Sequence, residues 1–295
     1  MSASHVESPA RISRIKHIIE NSEAGRASIK LKARPATKEE IAWVHDKDYI
    51  DSIEETSGKV VPLDPDTTAC PVTWDAACMA AGGVIEATKA VLDHKVDNAF
   101  AFVRPPGHHA ETARAMGFCF FNNIAIAAEY AIRKYGLKRV VIVDFDIHHG
   151  NGTQHSFYNR SDVFYISTHR WPFYPGSGSR AEHGEGEGVG YTLNVPFETG
   201  DDAELKDIYK RVIIPVIDEY EPELILVSAG YDAHNADPLG GLSLSTEAFD
   251  WLTGELKAAA ERSCNGKIVM ILEGGYNVEA LAECAEGALK TLQTS

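Results

Sequence analysis

The sequence predicts a single α/β domain in which a mostly parallel sheet is covered by helices on both faces. Three observations point there. Short runs such as Val140–Val143, Leu224–Ser228 and Ile268–Leu272 carry no charge and are almost wholly apolar, as strands buried on both faces must be. These runs alternate with helical patterns along the chain, the arrangement that builds parallel sheets. No internal repeat, low-complexity tract or linker divides the 295 residues, so one domain over residues 1–295 is expected.

Each element has its own local reason. Ser8 and Pro9 are placed to start a helix through about Asn21. Thr37-Lys-Glu-Glu40 has the form of a capping box ahead of Ile41, Trp43 and Val44. Residues 57–72, rich in Pro, Asp and Thr, read as a surface loop. Over Thr73–His94 the residues Ala77, Ala81, Val84, Ile85, Thr88 and Val91/Leu92 share one helical face. A short strand is expected over Ala99–Val103 and a helix over Phe120–Tyr135, stopped by Gly136. After the strand at Val140–Val143 come a helix near Gln154–Tyr158 and a strand over Val163–Ser167. Residues 170–190 are glycine-rich without apolar period, and a loop of that length in a compact domain is usually functional. Asp201–Tyr220 is a helix broken or kinked at Pro215. The strand at Leu224–Ser228, a helix over Ser245–Arg262, the strand at Ile268–Leu272 and a helix over Val278–Leu292 complete the chain.

Composition excludes several classes of function. A net charge of −15 speaks against direct nucleic-acid binding, which rests on lysine and arginine neutralising phosphates. An acidic surface favours encounter with cationic substrates, and equally serves solubility. No apolar run approaches the roughly 18–20 residues of a membrane span, and the first nine residues contain no signal core. Five cysteines without CxxC spacing argue for a reducing compartment, and Cys119 and Cys264 read as small core residues. A cytoplasmic location is expected, or a nuclear one in a eukaryote.

The chemistry gathers at strand ends. Val140–Val143 is followed within a few residues by Asp144, Asp146, His148 and His149, then Gly150 and Gly152. Ligands of open α/β sheets bind at the carboxyl ends of the strands. Asp146 and His148 are close enough in sequence to share one divalent cation, and Asp232 follows the Leu224–Ser228 strand. Those three would give zinc an O, N, O set with one position open for water or substrate; read singly, Asp232 could equally cap a helix. His108 and His109 follow Pro-Pro-Gly, a rigid turn, and suit a general base plus a second proton-handling or electrostatic group. Asp144 and Asn151 are the natural partners to fix their tautomers. Tyr276, after two glycines, is placed to donate to a developing oxyanion.

Five ordered stretches carry a resemblance: Arg104-Pro-Pro-Gly-His-His, Gly117-Phe-Cys-Phe-Phe-Asn-Asn, Asp144-Phe-Asp-Ile-His-His-Gly-Asn-Gly-Thr-Gln, Ser228-Ala-Gly-Tyr-Asp-Ala with Asp237-Pro-Leu-Gly-Gly, and Leu272-Glu-Gly-Gly-Tyr. With His5-Val-Glu-Ser-Pro-Ala-Arg11 they resemble the zinc-dependent histone deacetylases, in particular the class II branch, from about residue 5 to the C-terminus. That family includes acetylpolyamine amidohydrolases and shares its fold with arginase. The resemblance implies hydrolysis of an acetyl-lysine-like amide in a peptide, a protein or a small acetylated amine. It implies Asp146, His148 and Asp232 as zinc ligands, and His109 as general base backed by Asn151, where class I members carry Asp. It pairs His108 with Asp144 and makes Tyr276 the catalytic tyrosine. A structural K+ or Na+ held by Asp144, Asp146, His148 and Ser167 is also implied, as is a substrate tunnel walled by Gly117, Phe118, Tyr174, Leu239 and Gly275. Arg11 matches an internal channel for acetate. Leu239 matches the tunnel-mouth position, where the family's polyamine-selective eukaryotic member has a glutamate.

Two departures stand out. The family usually has a strand before the His5–Arg11 motif and a proline at position 6, so that edge strand is either absent or cut off. No partner-binding extension points to a repressor complex, and a homo-oligomer is left open. The competing readings are acetylpolyamine deacetylation, arginase-like urea hydrolysis and a non-catalytic acyl-lysine binding module. Arginase chemistry uses two metals held by extra aspartates, whereas Asn151 and the tyrosine after Gly-Gly fit the one-metal pattern. The complete set of ligands, bases and tyrosine speaks against the binding module.

Overall fold

A computed structural model describes residues 5–294. Met1–Ser4 and Ser295, included in the expected domain and in the reading of the N-terminus, lie outside the described residues. A six-stranded sheet forms the centre, in the order β3 (Asn98–Ala101), β8 (Ile268–Leu272), β7 (Leu224–Ala229), β4 (Val140–Asp144), β5 (Val163–Arg170), β6 (Thr192–Phe197), and it is parallel at every pairing. Four short helices come first: α1 (Pro9–Asn21), α2 (Glu23–Ala27), α3 (Lys38–Ile41) and α4 (Lys47–Glu54). The small ribbon β1 (Val61–Pro62) and β2 (Thr68–Ala69) leads to α5 (Thr73–Leu92), β3 (Asn98–Ala101) and α6 (Asn123–Tyr135). Then come β4 (Val140–Asp144), α7 (Asn151–Phe157), β5 (Val163–Arg170) and β6 (Thr192–Phe197). The chain continues through α8 (Asp202–Ile208) and α9 (Ile214–Tyr220) to β7 (Leu224–Ala229), α10 (Thr246–Cys264), β8 (Ile268–Leu272) and α11 (Val278–Gln293).

The apolar runs behave as their composition dictates. All five residues of β4 are buried, and they alternate between the two faces. Val141 and Val143 pack with Ile225, Val227, Met270 and Leu281 on the side of α1, α10 and α11. Val140 and Ile142 pack with Leu224, Leu226, Val269 and Ile124 on the side of α5 and α6. A third cluster, with Ile41, Ile53, Ala81, Phe120 and Phe121, seats the N-terminal helices on α5 and α6. No helix of the described residues is long and apolar enough to cross a membrane.

The structure corrects or refines the expected elements in several places. β6 lay in a region with no expected element, because Pro196 interrupts its apolar residues. At the sheet edge, paired with β5 alone, the missing N–H costs no ladder bond. Helix α4 also went unforeseen, as did the β1–β2 ribbon inside the expected loop over 57–72. The kink in the 201–220 helix is a wide π-type turn over Tyr209–Ile213, just before Pro215. Widening the turn there accommodates a ring that would collide with a carbonyl one turn back. Finally, α6 begins at Asn123 rather than Phe120, because the Asn122 side chain caps it by accepting from the Ala125 N–H.

Candidate active site

β4 sits between β7 and β5, so the chain runs outward from it in both directions, and the carboxyl ends of these strands lie side by side with that of β8, where open α/β sheets bind ligands. From β4 come Asp144, Asp146 and His148; from β7, Asp232; from β8, Glu273 and Tyr276. Asp146, His148 and Asp232 each point one donor atom inward, all within 4.8 Å of one another. His148 Nδ1 lies 3.0 Å from Asp146 Oδ1 and 3.2 Å from Asp232 Oδ2. Two fully buried carboxylates facing each other call for a cation between them. Burial and the Asp146 charge raise the Asp232 carboxyl to about 6. Space is kept for an ion, since a Cβ on Gly230 would fall 2.0 Å from Asp146 Oδ2 and one on Gly274 2.2 Å from Asp232 Oδ2. The donor set therefore fits a divalent metal.

The two neighbouring histidine rings lie with centroids 4.1 Å apart, tilted by 43°, yet their electrostatics diverge. His108 Nδ1 donates to Asp144 Oδ2 at 3.0 Å. Burial works against its charge, but Asp144 and Asp146 outweigh burial and raise its pKa to about 10. His109 Nδ1 donates to Asn151 Oδ1 at 2.8 Å. Burial first, then the neighbouring His108 and His148, hold its pKa well below the usual histidine value. The surroundings thus favour charge on His108 and neutrality on His109, whose Nε2 is left to accept a proton.

The remaining expected residues fall around this centre. Gly117 (φ +57°) passes so close to His109 that a Cβ would lie 2.3 Å from its ring. Gly117 and Phe118 are fixed from the β1–β2 ribbon, their amides donating to Asp66 Oδ1 (3.1 Å) and Thr67 Oγ1 (3.0 Å). The Phe118 ring meets Tyr276 edge-on at 5.8 Å, and Tyr174 meets His109 edge-on at 5.1 Å. Leu239 is exposed; its N–H donates to Asp237 Oδ1 (2.9 Å), and Asp237 Oδ2 accepts from Tyr276 N–H (2.6 Å). Gly275, at φ +116°, turns the chain into Tyr276. Ser167 lies opposite Asp144 across the β4–β5 ladder, and its Oγ bonds His169 Nδ1 at 2.9 Å. Arg11 is fully buried, donating to the carbonyls of Gly275 and Glu273.

Several contributors escaped the sequence reading. Phe173 stacks on His148 (5.1 Å, 16°) from the glycine-rich loop. That loop is pinned by His149 Nδ1 to Ser177 Oγ (2.8 Å) and by His169 Nε2 donating to the Gly178 carbonyl (2.8 Å). Glu273 accepts from the Gly107 and His108 amides (2.6 and 3.2 Å) and so sets the turn carrying the histidine pair. Burial raises the Glu273 carboxyl to about 7. Its place directly after an apolar strand was the available signal. Glu111, two residues beyond His109, gave none.

Comparison with known proteins agrees with this geometry. A profile of the histone deacetylase domain matches residues 5–292. The chain is 39% identical over 310 residues to a chloroplastic protein of Arabidopsis thaliana named histone deacetylase 14, covering 98% of this chain and 73% of that one. It is 38% identical over 302 residues to a Homo sapiens protein named polyamine deacetylase HDAC10, covering 97% of this chain and 44% of that one. Among solved structures, the HDA15 HD domain superposes with a TM-score of 0.94 at 37% identity, over 99% of this chain and 83% of that one.

Proposed function

Because the chain belongs to the histone deacetylase family and is a hydrolytic enzyme of it, we propose that it cleaves the amide of N-acetyl-lysine in peptides or proteins, releasing lysine and acetate. The observation that carries this reading is the meeting, at a single end of the sheet, of a three-donor metal cluster with two buried histidines, one bonded to a carboxylate and the other to an amide. Asp146, His148 and Asp232 would hold a zinc ion, which supplies a Lewis-acidic charge to the acetyl carbonyl and to a water.

The rest of the work falls to the chain. His109 takes the water's proton at Nε2, because its Nδ1 proton is committed to Asn151. His108, held charged by Asp144, stabilises negative charge developing beside it. Tyr276 donates its hydroxyl proton in a hydrogen bond to the oxyanion. Gly117, Phe118, Tyr174, Leu239 and Gly275 enclose the methylene chain of the substrate. Asp144, Asp146, His148 and Ser167 would hold a K+ or Na+, whose charge would offset the buried carboxylates at the β4–β5 end of the site, and Arg11 lines the route by which acetate leaves.

A second reading, hydrolysis of a small acetylated amine, is favoured by the human relative's name. The test is kcat/KM for zinc-loaded protein across acetyl-lysine peptides, longer acyl-lysines and acetylated polyamines. Highest values on acetyl-lysine peptides uphold the proposal. Higher values on acetylputrescine transfer it to the second reading, and no turnover of any acylated amine overturns both.

A further inference from the structure

Asn151 is neutral, and an amide is symmetric enough in shape to sit either way round. One orientation offers Oδ1 to His109 and the other offers Nδ2, and they impose opposite tautomers on the imidazole. The surroundings choose between them. Asn151 Nδ2 donates to Glu111 Oε1 and to the His109 carbonyl (3.3 Å), leaving Oδ1 for His109 Nδ1. A carboxylate only accepts, so its contact with Asn151 admits Nδ2 and refuses Oδ1. Glu111 is itself held on every side. Its carboxylate accepts from His155 Nδ1 at 2.9 and 3.0 Å, and its backbone bonds Arg114 (3.0 Å) and His45 Nδ1 (3.0 Å). Burial works against its ionisation, but His155 and Asn151 outweigh that and keep the carboxyl below its usual range.

We propose that Glu111 is a positioning residue, which through Asn151 fixes His109 as the Nδ1–H tautomer and so keeps Nε2 open as the proton acceptor. The chain His155–Glu111–Asn151–His109 runs from a half-exposed histidine to the neutral imidazole of the site. Its negative charge stands one residue further out than an aspartate in place of Asn151 would put it. The inference rests on the reading of His109 as the base, and its test separates the two.

The experiment is 15N spectroscopy of histidine-labelled protein, with His109 assigned from a His109→Gln spectrum, alongside steady-state kinetics. Wild type is expected to carry the His109 proton at Nδ1. In Glu111→Ala only the 3.3 Å bond to the His109 carbonyl still orients the Asn151 amide, so the His109 proton is expected to distribute over both nitrogens. The rate should then fall in proportion to the Nδ1–H fraction that remains, about twofold at equal populations, while KM is unchanged because no substrate contact is lost. Glu111→Gln keeps an acceptor for Asn151 and turns its own amide towards His155, so it should retain the Nδ1–H tautomer and the wild-type kcat. A His109 that remains Nδ1–H in Glu111→Ala overturns the proposal, whatever the rate does. A shifted tautomer with unchanged kcat upholds the positioning by Glu111 and removes His109 from its role as base.

Discussion

The Arg11 guanidinium lies 5.0 Å from the centroid of the Tyr276 ring. The same side chain donates from Nε to the Gly275 carbonyl (2.7 Å) and from Nη2 to that of Glu273 (2.5 Å). Helix α1 is thereby locked to the turn that follows β8, and Glu7 balances the charge while also pairing with Arg104 (2.6 Å). Lysine would keep the charge but lose the planar fork that reaches two carbonyls at once. Arg11→Lys should therefore lower kcat by about 10- to 100-fold by loosening the placement of Tyr276. Bound zinc, read by metal analysis, should be unchanged; loss of metal together with activity would point to general unfolding instead.

Tyr276 is the one hydroxyl donor assigned to the oxyanion. Loss of a single such donor typically costs on the order of 10²–10³ in kcat. Tyr276→Phe keeps the ring against Phe118 and removes only that donor, so kcat should fall in this range with zinc retained. A variant within about twofold of wild type would take Tyr276 out of the mechanism.

Most of this site was legible in the sequence because its parts follow strands of unmistakable composition. Asp144, Asp232 and Tyr276 could be placed at one sheet end before any coordinates, since parallel strands carry their C-terminal residues to the same side. What stayed hidden has no periodic signal. Glu111 lies in a turn, and nothing in its neighbours says which side chain it will face. Phe173 looked like one aromatic residue in a glycine-rich loop, and its stacking on His148 depends on contacts made by Ser177 and Gly178. β6 was lost to Pro196, whose meaning reverses once the strand is known to be an edge.

Asp232 and Asp146 are two buried carboxylates on one small volume, so a divalent ion should stabilise the fold as well as enable catalysis. Adding zinc to chelated protein at about 100 times its Kd is expected to contribute roughly 2.7 kcal/mol and raise Tm. Asp232→Ala removes one charge and one ligand, and zinc should then leave Tm unchanged. Full turnover after exhaustive chelation would falsify the metal requirement.

His45 supplies a pH dependence remote from the metal cluster. Its Nδ1 donates to the Glu111 carbonyl (3.0 Å) and its Nε2 accepts from Asn122 N–H (2.9 Å), so the buried ring is fully bonded only when neutral. Burial lowers its pKa to about 4, against 6.5 unfolded. The unfolded chain binds the extra proton between those values, so stability is complete above pH 6.5 and is lost as pH falls towards 4. The loss from this group alone is roughly 3 kcal/mol. His45→Gln can reproduce both bonds without titrating, and urea unfolding between pH 7 and 4 should show a shallower decline in the variant. An unchanged slope would assign acid sensitivity elsewhere.

Under the proposed function, substrate class is expected to turn on Leu239. The residue is 37% exposed, and its amide is tied through Asp237 to the backbone of Tyr276, so Leu239 and the turn that carries Tyr276 share one support. A leucine there offers apolar contact to the lysine methylene chain and peptide backbone, but no partner for the distant ammonium of an acetylated polyamine. Acetyl-lysine peptides should therefore be preferred over acetylputrescine or acetylspermidine. A carboxylate at a partly desolvated rim would contribute roughly 1–3 kcal/mol to binding a cation. Leu239→Glu should thus shift the ratio of kcat/KM towards polyamines by about 5- to 150-fold, with the rate on a small uncharged acetamide little altered. The nearby Asp237 works against a second negative charge, which places the expected shift towards the lower end of that range. A wild-type enzyme already faster on acetylputrescine than on every acetyl-lysine peptide would sink the argument. Selectivity would then have to come from the walls of the tunnel, where the 171–190 loop carries Phe173 and Tyr174 against His148 and His109.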